Sequence, residues 1–264
     1  GVIAVKNSQA DMNMRVYPGI DASYRMGNAW KVYASYNTSL RMPSFTELFY
    51  SVGGHKADKH LKPEELSALE AGLKYNAHGV SGKTSIFYNQ QKNLIDWISD
   101  GTLDANGSPL WKSVNFGRIN VVGVEASLSF DCRTLMPSQR FLKQFSLAYC
   151  YLNQNEKEHK GITSKYVLEY VKNKMVANLQ LNLWRNLDLG LNYRLLHRMG
   201  GYIDTNNQRH NYATYGILDT RLSWNTGKWT AFAAANNLLN RTYVDYGNVP
   251  QPGTWITAGV SIQM

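Results

Sequence analysis

With 264 residues, 44% hydrophobic and 12% aromatic, the chain is long enough for one large β domain or two small ones, and too aromatic for a disordered polymer. A formal charge of +9 would raise nucleic-acid binding, but the 28 Lys and Arg residues are scattered without an arginine-rich stripe, and a solvated surface or contact with anionic lipid head groups explains the charge as well. No apolar run reaches about 18 residues, which excludes a transmembrane helix but not a β-barrel, whose strands alternate.

Taken in order, the chain alternates apolar and polar residues from end to end, and no helix of ordinary length competes. The pattern predicts about eleven strands, at 16–25, 30–41, 66–76, 82–98, 111–130, 141–154, 170–184, 187–203, 214–225, 228–238 and 253–264. Val122, Val124, Ala126 and Leu128 oppose Gly123, Glu125, Ser127 and Ser129 on one of them. Met175, Ala177, Leu179 and Leu181 oppose Asn178, Gln180 and Asn182 on another. Short connections near residues 26–28, 76–81, 131–139, 185–186 and 225–227 alternate with long ones at 41–65, 99–110, 155–169, 204–213 and 239–252. A soluble sandwich has no reason to gather its long loops at one end, whereas an outer-membrane barrel has short periplasmic turns and long extracellular loops. Trp30, Trp97, Trp111, Trp184, Tyr193, Trp224, Trp229 and Trp255 stand near strand ends, as interfacial girdles do. An odd strand number leaves an open edge, so either Gly1–Asn7 supplies a twelfth strand or the partners lie in an N-terminal part outside this sequence. The abrupt start at Gly1-Val2-Ile3-Ala4-Val5 reads as mid-protein. Cys132 and Cys150 flank one predicted hairpin on the order of 30 Å apart, too far for a disulfide.

Several stretches resemble the TonB-dependent outer-membrane receptor family. Arg41-Met42-Pro43-Ser44-Phe45-Thr46-Glu47-Leu48-Phe49 is similar to the family's Arg-x-Pro-Ser-x-x-Glu-Leu-[Phe/Tyr] stretch. Leu61-Lys62-Pro63-Glu64 and Glu70-Ala71-Gly72 follow in the family's order, although Asp58-Lys59-His60 replaces its Asn-Pro pair. Asn115-Phe116-Gly117 with Gly123-Val124-Glu125, and Asn236-Asn237-Leu238-Leu239-Asn240, resemble later family motifs. Pro252-Gly253-Thr254 resembles the Pro-Gly-Arg opening of the closing strand, with Thr254 in place of Arg. Within the family, the pattern looks most like the vitamin B12 (cobalamin) receptor branch.

The resemblance implies an all-β fold: a transmembrane antiparallel up-and-down β-barrel, of which residues 1–264 form the C-terminal half, about eleven strands of roughly 22. It implies a location in the bacterial outer membrane, in contact with its lipid. It also implies uptake of a scarce nutrient such as cobalamin or an iron-siderophore. A plug domain and a segment that meets a TonB-type energising complex are expected in the missing N-terminal part, and a surface lipoprotein is a further candidate partner. A small passive pore or scaffold barrel is the rival reading.

Candidate ligand contacts lie in the long loops: Phe49, Tyr50 and His55 in the first, Trp97 and Trp111 flanking the second, Tyr202 and His210 around the fourth, and Tyr243, Tyr246 and Asn248 in the last. Aromatic faces with hydrogen-bonding edges suit a planar or macrocyclic ligand. His55, His60 and Asp58 are too few for a metal site, so no metal or cofactor is expected. An enzyme is not expected either; His197 with Ser223 or Asp219 is the one catalytic pairing that neighbouring strands allow. Glu70, Lys74, Glu125, Asp188, Arg194, Asp219 and Arg221 are expected to line the polar interior.

Overall fold

The computed structural model describes residues 2–6, 12–155, 162–165, 169–204, 206, 208–245 and 249–263. A hairpin of β1 (Val2–Lys6) and β2 (Met12–Val16) comes first, followed by β3 (Gly19–Met26), β4 (Trp30–Arg41), the one-turn helix α1 (Phe45–Phe49), β5 (His55–Lys56), β6 (Glu64–Ala77) and β7 (Val80–Lys92). Next are β8 (Ile95–Ser99), β9 (Trp111–Asn115), β10 (Arg118–Asp131), α2 (Cys132–Leu135), β11 (Leu142–Gln154), β12 (Thr163–Ser164) and β13 (Val171–Trp184). The chain continues through β14 (Leu187–Arg198), β15 (Gly201–Ile203), β16 (Arg209–Asn211), β17 (Tyr215–Asn225), β18 (Trp229–Asn236) and β19 (Trp255–Ile262).

Eleven strands form one antiparallel sheet in the order β19-β18-β17-β14-β13-β11-β10-β7-β6-β4-β3, in which each strand pairs with its predecessor and its successor in the meander. The eleven match the predicted strands one for one, with long loops at one end and tight turns at the other. Tight turns form where the backbone can turn left-handed: His78 and Gly79 at φ 50° and 76°, Arg185 at 37° and Gly227 at 90°. Four boundaries differ from the alternation. The predicted strand 82–98 stops at Lys92, because Asn93 at φ 54° turns the chain out of the sheet. The predicted strand 111–130 divides at Gly117, at φ 90°. The predicted 187–203 leaves the sheet after Arg198, and the predicted 16–25 starts at Gly19. Residues 2–6 do not supply a twelfth strand of the sheet; they pair with β2. Both cysteines are free thiols, Cys132 in the turn helix and Cys150 opposite Glu125 on β10.

The register sorts side chains into two faces. Ile20, Tyr36, Leu69, Ile86 and Val260 lie on an apolar face and are exposed by 68, 40, 53, 56 and 65%. A continuous exposed apolar face needs a non-aqueous neighbour. The other face is polar and internally paired: Lys83–Glu70 at 3.4 Å, Lys143–Asp188 at 2.8 Å and Arg194–Asp219 at 3.1 Å. His197 lies opposite Asn173 near the long-loop end of β14, whereas Ser223 faces Asp188 at the other end. Nine residues separate His197 from Asp188, about 30 Å of strand, so the catalytic pairing with Ser223 does not form. Asp219, opposite Asn192, belongs to the polar face, and the His197 ring instead meets the Asn173 amide, 3.2 Å from its Nδ1.

The polar face also explains two of the family-like glycines. Tyr33 stands directly opposite Gly72 and Phe87 opposite Gly123, and each ring occupies the space that a Cβ on its glycine would need. This lets the Tyr33 hydroxyl donate to Glu70 Oε1 at 2.7 Å. A Cβ on Gly72 would stand 2.5 Å from Tyr33 and 2.7 Å from the Thr84 carbonyl oxygen, whereas on Gly190 its nearest neighbour is 3.8 Å away. The Thr84 backbone cannot yield as a side chain can. Gly72→Ala is therefore expected to destabilise the full-length protein by about 1–3 kcal/mol and Gly190→Ala by less than about 1 kcal/mol, read by denaturant titration of the folded fraction.

Candidate functional site

The site is built where the long loops leave the sheet, and each loop root is closed by a side-chain clamp. Arg41, at the end of β4, donates from Nε and Nη2 to Glu64 at 2.6 Å each, and from Nη1 and Nη2 to Glu47 at 3.1 and 3.0 Å. The two ends of the first loop are thus tied through one guanidinium. Glu47 also caps α1: the Ser44 N–H donates to Glu47 Oε2 at 2.6 Å and the Glu47 N–H to Ser44 Oγ at 3.3 Å, a reciprocal capping box. Burial pushes the Glu47 carboxyl up, but the hydrogen bonds from Arg41 and Ser44 outweigh it and hold it below the usual glutamate range. Glu64 additionally accepts the Ile95 N–H at 2.7 Å, which couples the first loop to the second.

Asn115 is the second clamp. Its Nδ2 donates to the Lys62 and Asn93 carbonyls at 2.9 and 2.8 Å, and its Oδ1 accepts the Lys62 N–H at 2.8 Å. Asn237 is the third. At φ 49°, its side chain donates to the Arg241 and Pro252 carbonyls at 2.8 and 3.1 Å and accepts the Arg241 N–H at 2.8 Å. Ile119 and Val121, 1 and 8% exposed, pack with Phe87, Leu94, Phe116 and Leu152 beneath these roots.

Above the clamps, β12, β8, β9 and β5 form a second, four-stranded sheet made from three different loops. It brings together four of the predicted contacts. The rings of Tyr50 and His55 lie 5.6 Å apart, and those of His55 and Trp97 5.2 Å apart, both edge-on. His55 and Trp111 are direct neighbours across the parallel pair β5–β9. The histidine's Nδ1–H donates to the Gly53 carbonyl at 3.1 Å, which leaves Nε2 to accept from the Lys165 ammonium at 2.9 Å. Lys165 also stands over the Trp111 ring, 4.6 Å from its centre. Burial lowers the Lys165 pKa, opposed by the charge of Asp96. Asp96 is fully buried and accepts from the Ser164 hydroxyl.

A second cluster gathers the later loops. Tyr202 packs on His210 and Tyr212 at 5.5 and 5.7 Å. His210 Nε2 lies 2.9 Å from Asp204 Oδ2, and Gln208, His210 and Asn206 together hold that carboxyl below its usual range. Arg198 donates to the Glu169 carbonyl at 2.7 Å and to Asp245 Oδ1 at 3.0 Å, so it ties three loops together. Tyr215 donates to the same Asp245 oxygen at 2.7 Å and stacks on Tyr243 at 4.4 Å. Tyr212 donates to Glu169 Oε2 at 2.8 Å. Burial raises the Glu169 carboxyl against that bond and against Arg198 and Arg209, with Asp96 adding to the rise. Asp96 therefore acts on both clusters.

The model of the family described as "TonB dependent receptor-like, beta-barrel" matches residues 5–238 of this chain. The chain belongs to the TonB-dependent receptor β-barrel family. In fold it is similar to the siderophore receptor PirA from Pseudomonas aeruginosa, at 17% identity and a TM-score of 0.65 over 97% of this chain and 41% of that one. It is also similar to the FrpB iron transporter from Neisseria meningitidis, at 18% identity and a TM-score of 0.68 over 94 and 39%. A third similar structure is the copper transporter OprC, at 15% identity and a TM-score of 0.71 over 92 and 38%. The chain thus spans about two fifths of these structures, as one portion of a receptor barrel.

Within a receptor barrel the polar face corresponds to the inner wall and the apolar face to the outer surface. Trp30, Trp184, Trp224, Trp229 and Trp255 are all exposed, as girdle residues are; Trp97 at 6% exposure and Trp111 in the loop sheet are not girdle residues. Phe49 does not join either cluster. Its ring lies 5.0 Å from that of Phe45, tilted, and it is 56% exposed. Tyr246 and Asn248 lie outside the described residues. Lys165, Arg198, Glu169, Tyr212, Tyr215 and Asp245 were not among the predicted contacts. They carry no periodic signal and are recognised only by what the folded loops place beside the aromatic rings.

The Arg41 clamp gives a pH-dependent prediction. Because the folded Glu47 pKa lies below its unfolded value, the stability it contributes is present above the ordinary glutamate range and lost as pH falls through the depressed value. Arg41 is 46% exposed on its side chain, so solvent screens part of the interaction. Arg41→Ala is expected to lower stability by about 1–2 kcal/mol at pH 7, with the difference from wild type shrinking below about pH 4, as measured by denaturant titration across pH.

Proposed function

We propose that the chain is the C-terminal part of the barrel of an outer-membrane receptor that captures a scarce nutrient for energised uptake. The observation that carries this reading is the pair of loop clusters, in which aromatic rings, a half-buried lysine and an arginine hub converge above a receptor barrel wall. Such a surface offers stacking faces and cations together, which suits a large, anionic, ring-bearing ligand. Iron-siderophores fit this chemistry. Cobalamin, the branch that the sequence most resembles, offers a macrocycle for the same aromatic faces. The remaining barrel strands, the plug and the segment that meets the TonB-type complex would belong to the rest of the receptor. Lipid would meet the apolar face, and a surface lipoprotein would meet the loops. A passive pore is less favoured because clamped, packed loops crowd the long-loop end.

Binding of cobalamin and of ferric siderophores by the full-length protein tests this reading, with saturable nanomolar binding of one class expected. Trp111→Ala and Lys165→Ala should each weaken that binding by about 10- to 100-fold with little change in stability. Trp97→Ala should instead destabilise the loop sheet by about 2–4 kcal/mol, since the ring is buried. Saturable binding of neither ligand class, with ion conductance through the purified receptor, would replace the uptake reading by the pore.

A further inference from the structure

The outer face of the wall ends differently at its two mouths. Toward the short turns it is apolar and aromatic: Trp30 packs on Tyr75 with ring centres 4.5 Å apart, Phe130 stacks on Phe145 at 6.2 Å, and Trp184, Trp224 and Trp229 are exposed. Toward the long loops the same face turns polar. Thr38, Ser67, Gln90 and Asn120 stand directly opposite one another on the adjacent strands β4, β6, β7 and β10, in the parity of Tyr36, Leu69, Tyr88 and Val122. Asn153, Asn173 and His197 hold outer-face positions near the same end of β11, β13 and β14. Two residues above the first four, Leu40, Glu65, Lys92 and Arg118 form the next row, with two cations to one carboxylate. Thr38 is eight residues from Trp30, about 27 Å along β4, which puts this belt at the far edge of an apolar band about 25 Å tall.

We propose that this belt binds the phosphorylated saccharide head group of a lipid in the long-loop leaflet, with Ser67, Gln90 and Asn120 against the sugar and Lys92 and Arg118 against phosphate. Hydrogen-bonding capacity selects the sugar. Gln90 Nε2 donates to Asn120 Oδ1 at 3.4 Å, and among the described residues Gln90 Oε1 and Asn120 Nδ2 have no partner. One needs a donor and the other an acceptor, and a sugar hydroxyl is both. A phosphatidylcholine head has acceptors alone and leaves the Gln90 carbonyl unmet. Charge selects the phosphate: Lys92 and Arg118 stand directly opposite each other, and Glu65, opposite Lys92, balances only one of them. Breadth selects a saccharide over a single phosphodiester, because the three inter-strand steps from Thr38 to Asn120 span about 14 Å. The inference rests on the reading of the apolar face as a lipid surface and not on which nutrient the loops bind.

The test uses the full-length protein in detergent, titrated with lipids of stated head group and read by native mass spectrometry. The probes are an acylated amino-sugar disaccharide with two phosphates, the same lipid without phosphates, phosphatidylglycerol and phosphatidylethanolamine. The phosphorylated saccharide lipid is expected to be retained at about tenfold lower concentration than either glycerophospholipid or its own dephosphorylated form. Lys92→Gln with Arg118→Gln should abolish the preference for phosphate, and Gln90→Leu with Asn120→Leu should weaken retention of both saccharide forms by about tenfold. Equal retention of phosphatidylglycerol would assign the belt to any anionic lipid, and equal retention of phosphatidylethanolamine to any donor-bearing head; either result overturns the proposal. A wild-type preference that both double variants leave unchanged would place the lipid elsewhere and overturn it too. Insertion of the wild-type protein into lipid vesicles is the control. A protein that does not insert loses the membrane reading and this proposal together, whereas one that inserts without the preference loses the proposal alone.

Discussion

A backbone in hydrocarbon has no water to satisfy its N–H and C=O groups, so every strand that faces lipid needs a hydrogen-bonded neighbour on each side. In the sheet from β3 to β19 the nine inner strands meet this demand by the simplest order available, each paired with the one before and the one after. That order fixes everything else. It sends alternate connections to opposite ends, which gathers the five long loops over one mouth. It makes the side-chain period two along the wall, so one face is mainly apolar and the other mainly polar. It also concentrates conflict at one place, the roots of the long loops, where the ladder stops and the backbone must leave without orphaning its polar groups. Arg41, Asn115 and Asn237 resolve that conflict. Each uses one side chain to bind several groups of a departing or returning strand.

This explains why the family-like motifs are so readable although the clamp side chains stand outside the aromatic clusters. The arginine of the Arg-x-Pro-Ser stretch joins Glu47 to Glu64, the glutamate that follows Pro63. The glutamate and glycine of Glu70-Ala71-Gly72 hold the hydroxyl and the ring of a single residue, Tyr33. Gly123 admits Phe87, and Asn237 binds both strands of the final loop. Bidentate guanidinium geometry, a glycine beneath a ring and an Asn in a left-handed conformation each admit few substitutes. Residues under such geometric demands leave a fingerprint in sequence, whereas a loop contact that any aromatic residue can make does not.

The same logic sets how much was legible. The fold was readable because period two repeats in every strand and the turn residues sit between the repeats. The boundary errors at Lys92 and Arg118 arose because alternation continues through β8 and β9, which are real strands but belong to another sheet. Only the left-handed Asn93 and Gly117 mark the change. In the candidate site, Tyr50, His55, Trp97 and Trp111 were recognised as aromatic or imidazole side chains in or beside long loops. That they meet was not recognisable, since Lys165 joins a histidine 110 positions away. Asp96 was invisible for a different reason. It reads as the polar partner in an alternating strand, yet the loop sheet buries it completely and makes it the charge that both clusters share.

A division of labour follows from where these constraints fall. The clamps sit at the roots of the loops and the aromatic clusters above them, and the two sets of residues do not overlap. Glu64 and Asn115 connect them, because Glu64 serves the Arg41 clamp and also receives the Ile95 N–H at the start of β8, and Asn115 ends β9 of the loop sheet. The loop sheet is therefore positioned by the wall through backbone hydrogen bonds, without lending its rings to that task. A wall built this way allows the loop-cluster residues to change while the ladder and its roots stay intact. It also means that wall similarity carries fold and not ligand, which is why structures at 15–18% identity align over nearly the whole chain. What distinguishes this chain from such structures must lie in its loops, where Lys165, Trp111 and Arg198 gather side chains from different loops.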